Sequence, residues 1–270
     1  MEKRSIPLFY WSEQKFIFKD KENYGDLLSK YLVEKISGKK VKFIHPKKQA
    51  WYKINKKHFL VIGSILHHAT PKSIVWGSGI IDREHEIPEA DFRAVRGPRT
   101  RDFLLKKGYI CPAVYGDPAI LLPDHYAPDV QKQFKLGVIP HYHDHETAKE
   151  LFAGNNDVMV IDLMTLDVEE VTREILSCER CISSSLHGLI VSHAYQIPCV
   201  WVEFSDKLFG DGVKFVDYFQ SVDLKEYKPK FVNEASLQNN IDFFQNVQEL
   251  PDKERLGEIK KALMDACPFK

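Results

Sequence analysis

Short apolar runs alternate with amphipathic stretches along the first half of the chain. We predict strands at residues 6–11, 41–44, 59–62, 74–76 and 92–95, each apolar enough to be buried. Asn23 to Asp26 opens a predicted helix in which Leu27, Leu28, Tyr31, Leu32 and Ile36 follow helical spacing, and Gly38 is placed to end it. A second helix is predicted after Pro98, at residues 100–107, because proline suits the first helical turn.

The alternation starts again in the second half, after a proline-bounded linker at residues 123–128. Strands are predicted at 134–139, 158–161, 180–183 and 199–202, and helices at 146–152, 168–176, 186–195, 214–219, 239–247 and 253–264. Asp167 and Glu170 form a predicted capping box. The pattern indicates an α/β protein with two Rossmann-like domains and mostly parallel sheets, at residues 1–125 and 130–250, with a closing helix in 251–270. Ligands of such folds lie at the carboxyl ends of the strands.

Composition indicates a soluble globular protein. Of its 270 residues, 44% are hydrophobic and 28% are charged, which excludes a disordered chain. We find no signal-peptide pattern, and no apolar run approaches the roughly 20 residues of a membrane span. The five cysteines are odd in number, so a reduced, cytoplasmic setting is predicted. Cys178 and Cys181 have C-x-x-C spacing without a second pair, which favours buried thiols over a metal or redox role.

Positive charge is concentrated in one window although the formal net charge is zero. A balanced total predicts no nucleic-acid partner. No acidic residue occurs between Glu34 and Asp82, and Phe43, Trp51 and Tyr52 are interleaved with the lysines Lys39, Lys40, Lys47, Lys48, Lys53, Lys56 and Lys57. The window fits a solvated face, an RNA-binding surface, or a patch for the anionic inner leaflet of a membrane.

The sharpest candidate for chemistry is the junction between a predicted strand and helix at Ser183-Ser184-Ser185-Leu186-His187-Gly188. The first N–H groups of a helix have no internal partner, and the helix dipole adds positive charge there, so a phosphate or carboxylate can bind. His187, in the first turn, is placed to exchange a proton with the bound group. The alternative is a serine-capped helix whose histidine fills a crevice.

Other polar turns follow predicted strands. Arg96, Arg99 and Arg101 surround one turn, and arginine pairs strongly with phosphate and carboxylate. His141 and His143 could meet a metal ion, but no firm partner at a fitting spacing exists, so no metal is predicted and hydrogen bonding to a substrate is the simpler role. The turn at Gly77-Ser78-Gly79 lacks the third glycine of a dinucleotide-binding loop.

Six short motifs follow one another in order between about residues 20 and 220. They are Asn23-Tyr24-Gly25-Asp26, Val95-Arg96-Gly97-Pro98, Tyr115-Gly116-Asp117-Pro118, Ile139-Pro140-His141-Tyr142, Ser184-Ser185-Leu186-His187-Gly188 and Lys214-Phe215-x-Asp217-Tyr218. As an ordered set they resemble the polysaccharide pyruvyl transferase family. The resemblance implies a GT-B-like arrangement of two domains and an enzyme that transfers pyruvate from phosphoenolpyruvate to two hydroxyls of a sugar, forming a cyclic ketal and releasing phosphate.

The resemblance also implies roles for residues. His187 would be catalytic, as proton donor or as base, and Arg96 would hold the donor. The other donor contacts would be Ser184, Ser185, Leu186, Gly188, Arg99 and Lys214. The acceptor contacts would be Asn23, Asp26 and His141. Many family members carry arginine where this chain has Ser185, so Arg96, Arg99, Arg101 or Lys214 would have to supply the missing charge.

The implied partners are phosphoenolpyruvate, used as a co-substrate without any cofactor, and a sugar of a surface or capsular polysaccharide precursor, in many relatives carried on a lipid diphosphate. Such an acceptor would place the protein in the cytoplasm at the inner face of the membrane. The alternatives are a glycosyltransferase that uses a nucleotide sugar with the same two-domain arrangement, and a non-catalytic protein that binds glycans or lipids.

Overall fold

The computed structural model describes residues 5–205 and 211–269; residues 1–4, 206–210 and 270 of the predicted domains lie outside the described residues. The strands are β1 (Ile6–Phe9), β2 (Glu22–Asn23), β3 (Val41–Phe43), β4 (His58–Leu60), β5 (Ser73–Trp76), β6 (Asp91–Ala94), β7 (Phe134–Ile139), β8 (Val158–Val160), β9 (Met164–Thr165), β10 (Cys178–Ser183), β11 (Cys199–Glu203) and β12 (Lys230–Phe231). The α-helices are α1 (Glu13–Phe16), α2 (Tyr24–Ser37), α3 (Pro98–Lys106), α4 (His145–Leu151), α5 (Val168–Leu176), α6 (Leu186–Ala194), α7 (Val213–Ser221), α8 (Glu234–Gln238) and α9 (Lys253–Asp265). Three 3-10 helices lie at Pro46–Lys48, Leu66–His68 and Pro118–Asp124.

The first half forms a parallel sheet of five strands in the order β3-β1-β4-β5-β6. Helix α2 connects β1 to the edge strand β3. The Asn23 side chain caps its start by accepting from Gly25 N, and Gly38 ends it in the left-handed conformation at φ 62°, which glycine adopts without steric cost. Leu28 and Leu32 of α2 are fully buried, so the predicted apolar stripe faces the core.

The second half forms another parallel sheet of five strands, in the order β12-β11-β10-β7-β8. Cys181, Ile182 and Ser183 form the carboxyl end of β10, the central strand, and align with β7 on one side and β11 on the other. All three are fully buried, as expected for a strand covered on both faces. The predicted α/β class with two mostly parallel sheets is thus confirmed, and the GT-B-like arrangement stays a prediction.

Several contacts among the described residues join the two halves. Strand β2 pairs antiparallel with β9, so Asn23 lies opposite Met164. The 3-10 helix Pro118–Asp124 packs against α2, α6 and α9, and its central residues 119–122 are buried. Helix α9 returns to the first half, where Leu263 O accepts a 2.8 Å hydrogen bond from Trp76 Nε1. The segment predicted as a linker, residues 123–128, therefore begins inside this 3-10 helix and directly follows its buried residues.

One predicted helix is wrong. Residues 239–247 form turns, and the helix lies just before them as α8. Asn233 and Ser236 form a reciprocal capping box that starts α8 early. Asn240 and Asn246 then adopt positive φ, at 49° and 62°, a conformation that asparagine tolerates better than most residues. The apolar residues that suggested a helix, Phe243 and Phe244, are buried as part of these turns.

Within the described part of the chain, none of the helices combines the length and the apolar character that crossing a membrane requires.

Candidate functional site

The N-terminus of α6 presents backbone N–H groups that the protein leaves unpaired. Ser185 occupies the N-cap position, but its side chain makes no capping hydrogen bond. Ser184 Oγ instead accepts from His141 N at 2.8 Å, and Ser183 Oγ accepts from Ser185 N at 3.1 Å. Among the described residues no side chain caps the first turn, so the N–H groups of residues 186–188 and the helix dipole are available to an anion.

Close packing fixes this first turn against the sheet. A Cβ on Gly188 would lie 2.6 Å from both Ile139 Cγ2 and Ser183 Oγ, closer than real contacts allow. Leu186 is buried in the core. Gly188 therefore lets α6 approach β7 and β10, and Leu186 anchors the turn, which leaves their backbone groups rather than their side chains for a ligand.

His187 lies where the N-termini of α2 and α6 meet. Its ring packs on the backbone of Gly25, because a Cβ built there would stand 2.1 Å from Nδ1. Its Nε2 faces Asp117 Oδ2 at 3.5 Å, and neither of these two buried atoms has a hydrogen-bond partner among the described residues. Asp117 Oδ1 accepts from Ala119 N at 3.0 Å, which fixes the carboxylate. The contact with Asp117 occupies one side of the ring, and the other nitrogen, Nδ1, lies beside the N-terminus of α2.

Lys214 has no carboxylate partner among the described residues, and it lies close to the site. It lies in the first turn of α7 and is half-buried. Burial, with the nearby charge of Arg96, lowers the pKa of its ammonium to about 8. Burial and the charge of Lys214 in turn lower the pKa of His141 to about 3. Lys214 and His141 therefore lie near each other, and His141 is neutral at physiological pH.

Arg96 is fully buried and every part of its guanidinium has a partner. Nε donates to Asp217 Oδ2 at 3.0 Å, Nη1 to Ser64 Oγ at 2.7 Å and Nη2 to Ile80 O at 2.7 Å. Asp217 also accepts from Thr100 Oγ1 at 2.6 Å and from Thr100 N at 3.0 Å. The pair locks α3 of the first half to α7 of the second, and the charge of Arg96 is already compensated.

The remaining predicted donor arginine points elsewhere. Arg99 Nη2 lies 3.3 Å from Glu226 Oε1, in the segment that follows α7. Arg101 Nε donates to Cys111 O at 3.0 Å. The structure brings His187, the start of α6, Lys214 and His141 together, but it does not bring Arg99 or Arg101 to them.

The first half contributes acidic groups beside α2. The Asn23 amide oxygen is used to cap the helix. Burial, with the charges of Glu13 and Glu22 nearby, raises the pKa of the Asp26 carboxyl well above its usual range. Asp26 Oδ1 lies near the loop that carries Gly63 and Ser64, and Ser64 is bonded to Arg96. Asp26 is therefore a carboxyl whose surroundings favour its protonated form, and it lies close to the Arg96 network.

The two thiols of the C-x-x-C pair and the histidine turn lie in packed surroundings. Cys178 and Cys181 are buried, and both sulfurs would lie 2.8 Å from a Cβ on Gly137. Across the part of the chain that the structure describes, no group of three or more histidine, cysteine or acidic side chains is arranged to hold a metal. The His141 ring packs at a tilt against the Tyr142 ring, with ring centroids 4.4 Å apart. The Lys19 ammonium lies over the Tyr142 ring at 4.3 Å.

Sequence reasoning did not assign a role to two acidic residues that the site depends on. Asp117 follows a short bridge between Val95 and Tyr115 and stands before a proline, a pattern that indicates an N-cap but not a histidine partner. Asp217 lies in a buried helix, where an unpaired carboxylate would be costly. That cost is the signal that could have predicted a buried cationic partner.

The fold and the site define an α/β protein that holds a histidine, a lysine and an uncapped helix N-terminus together at the ends of its strands. Such a set suits a polar ligand with negative charge. The family model for polysaccharide pyruvyl transferase matches residues 23–206, and the chain belongs to this family. The family supports a transferase that acts on polysaccharide.

Two curated relatives extend the comparison. The chain is 31% identical over 236 residues to an uncharacterized protein of Acanthamoeba polyphaga mimivirus, which covers 82% of this chain and 80% of the relative. It is 25% identical over 238 residues to the succinoglycan biosynthesis protein ExoV of Rhizobium meliloti (strain 1021), which covers 83% of this chain and 67% of the relative.

Proposed function

We propose that this protein transfers pyruvate from phosphoenolpyruvate to two hydroxyls of a sugar in a surface or capsular polysaccharide precursor and releases phosphate. The observation that carries the proposal is the position of His187, which packs on Gly25 of α2, faces Asp117 and opens the uncapped helix α6. One imidazole is thereby placed between a site for an anion and the half of the protein that carries Asp26.

Lys214 and the start of α6 are proposed to bind the donor. Phosphoenolpyruvate carries about three negative charges at neutral pH, counting its phosphate and its carboxylate. A helix N-terminus offers only about half a charge. Lys214 has no carboxylate partner among the described residues, and its pKa of about 8 keeps it charged at pH 7. Protonated His187 would add further positive charge.

Arg96 is proposed to act behind the donor rather than on it. Its guanidinium is enclosed and bonded to Asp217, Ser64 and Ile80, so contact with the donor would require that network to open. In its observed position Arg96 holds α7, and therefore Lys214, in place. Arg99 does not hold Lys214 in place, because it pairs with Glu226 after α7. We propose only that it contributes to the contact between α3 and the α7 region.

The reaction can be balanced with His187 as its proton carrier. A proton passes from the imidazolium to the methylene carbon of phosphoenolpyruvate, which becomes a methyl group, and the central carbon becomes electrophilic. A sugar hydroxyl attacks that carbon and returns its proton to His187. The bond to the phosphate then breaks, the neighbouring hydroxyl closes the ketal, and its proton leaves with the phosphate. General acid–base catalysis of this kind contributes on the order of 10² to 10⁴ in rate.

Asp117 and Asp26 are proposed to support these steps. A carboxylate at Asp117 holds the hydrogen of Nε2, which leaves Nδ1 to exchange the proton. Asp26 has a raised pKa and can donate a hydrogen bond to an acceptor hydroxyl while adding no charge. Together with His141, which is neutral, it offers the acceptor polar contacts that do not repel the donor.

The test is incubation of the full chain with phosphoenolpyruvate and a panel of galactosides, mannosides and N-acetylhexosaminides. We expect phosphate release and an acceptor that gains one pyruvate in mass. His187→Ala should abolish release, whereas His125→Ala, at a half-buried histidine outside the site, should not. Stabilisation and turnover with a nucleotide sugar would instead establish a glycosyltransferase, and sugar binding without phosphate release would establish a glycan-binding protein.

A further inference from the structure

The loop between β3 and β4 exposes large apolar side chains that the rest of the fold does not use. Trp51 is 88% exposed, Tyr52 is 73% exposed and Ile54 is 102% exposed. They lie within residues 49–57, which we call the aromatic loop. Trp51 and Tyr52 contact each other edge to face, with ring centroids 5.9 Å apart, so one tip presents two aromatic rings and an aliphatic chain to the surroundings.

The surface around the aromatic loop is cationic. No acidic or arginine residue occurs from 35 to 81, and the exposed lysines of this stretch are Lys35, Lys39, Lys40, Lys42, Lys47, Lys48, Lys57 and Lys72. Lys53 Nζ donates to Gln49 Oε1 at 2.8 Å, and Gln49 Nε2 donates to Lys56 O at 3.0 Å. These bonds close the base of the loop, so its shape is internally supported while its tip stays exposed.

The aromatic loop lies on the side of the first sheet opposite α2. Helix α2 leads from β1 to the edge strand β3, and the chain then returns past β1 to β4. Because parallel connections are right-handed, two connections that run in opposite directions cover opposite faces. Helix α2 packs against α5 and α6 of the second half. The loop therefore faces away from that packing and can meet a surface without disturbing His187.

We propose that the aromatic loop docks the protein on an anionic membrane surface, with Trp51, Tyr52 and Ile54 in the headgroup region and the surrounding lysines on lipid phosphates. Aromatic side chains favour the boundary between headgroups and acyl chains, and lysines add attraction to anionic lipid. An exposed isoleucine gains from a lipid boundary but not from a nucleic acid, whose contacts are phosphates and base faces. The inference does not depend on the proposed activity.

The first experiment measures binding of the full chain to vesicles of phosphatidylcholine with and without phosphatidylglycerol. We expect co-sedimentation with the anionic vesicles at low salt and its loss as salt rises. Replacing Lys39, Lys42, Lys48 and Lys57 with glutamine should weaken binding on the order of 100-fold or more. A control that also removes four exposed lysines, at Lys106, Lys107, Lys253 and Lys261, should change it far less.

A second experiment separates insertion from attraction of charges alone. The variant with Trp51, Tyr52 and Ile54 changed to serine should lose binding, whereas Ile110→Ser, at another exposed apolar residue, should keep it. Brominated lipid should quench the fluorescence of Trp51. Because Trp76 and Trp201 are buried and Trp11 is half-buried, Trp51→Phe should remove most of the quenching. Absence of vesicle binding at low salt, equal loss in both lysine variants, or binding to single-stranded RNA without quenching would each overturn the proposal.

Discussion

Gly25→Ala tests whether His187 needs the position that the structure gives it. Gly25 lies in the first turn of α2 with a helical backbone, so alanine suits the helix itself. Its Cβ, however, would stand 2.1 Å from Nδ1 and 2.6 Å from Cγ of the His187 ring. An ordinary contact starts near 3.4 Å, so the ring must move by about 1.3 Å.

The size of the effect follows from that displacement. A misplacement of about 1 Å in a catalytic group can cost on the order of 100-fold in rate. Overpacking costs about 1–3 kcal/mol, and the better helix propensity of alanine returns up to about 1 kcal/mol. We therefore expect turnover to fall about 100-fold while the free energy of unfolding falls by no more than about 3 kcal/mol.

The assay is phosphate release with phosphoenolpyruvate and the acceptor identified in the panel, together with urea denaturation. Gly257→Ala is the matched control, because it lies in helix α9 with no atom within 4 Å of the added Cβ. That variant should keep full turnover and gain about 0.5–1 kcal/mol. If folded Gly25→Ala keeps normal turnover, catalysis does not depend on the position of the His187 ring against Gly25.

Three further predictions concern the groups around His187. Asp117→Asn keeps the cap on the following helix but not the charge that faces Nε2, so turnover should fall on the order of 10²-fold or more with little change in stability; unchanged turnover and pH profile would refute its positioning role. Because the pKa of Lys214 is about 8, the affinity for phosphoenolpyruvate measured by calorimetry should decline as pH rises above about 8, and Lys214→Gln should remove that decline. Asp217→Ala should cost about 3–5 kcal/mol in urea denaturation because it leaves buried Arg96 unpaired, and a double variant with Arg96→Met should cost less than the sum of the single changes; additive costs would contradict the coupling.

Much of the fold could be predicted because local signals agreed with burial. The strands that became β1, β4, β5 and β7 are short apolar runs, and α2 has both a cap at Asn23 and a terminator at Gly38. The failed helix at residues 239–247 shows the opposite case. Its apolar residues suited a helix, but the capping box at Asn233 and the left-handed asparagines at 240 and 246 determined the backbone.

The candidate site was less accessible to prediction because its contacts join distant parts of the chain. A serine-rich junction indicates an anion site at α6, but nothing near His187 in sequence indicates that Gly25 lies against its ring. Arg96 stands in a turn that looked open to a ligand, and its burial depends on Asp217, which is 121 positions away. Sequence shows charge, whereas only the fold shows whether that charge is already compensated.

The two helix N-termini at the site differ in their surrounding charge, and this difference favours separate positions for the two proposed substrates. The start of α2 is capped by Asn23 and has Asp26 beside it, with Glu13 and Glu22 near enough to raise the pKa of that carboxyl. The start of α6 has no such cap, and Lys214 is close by. A trianion near the acidic groups would be repelled, whereas a neutral sugar hydroxyl would find hydrogen-bond partners there. For the proposed reaction, charge therefore favours the donor at α6 and the acceptor at α2, and His187 lies between the two helix N-termini.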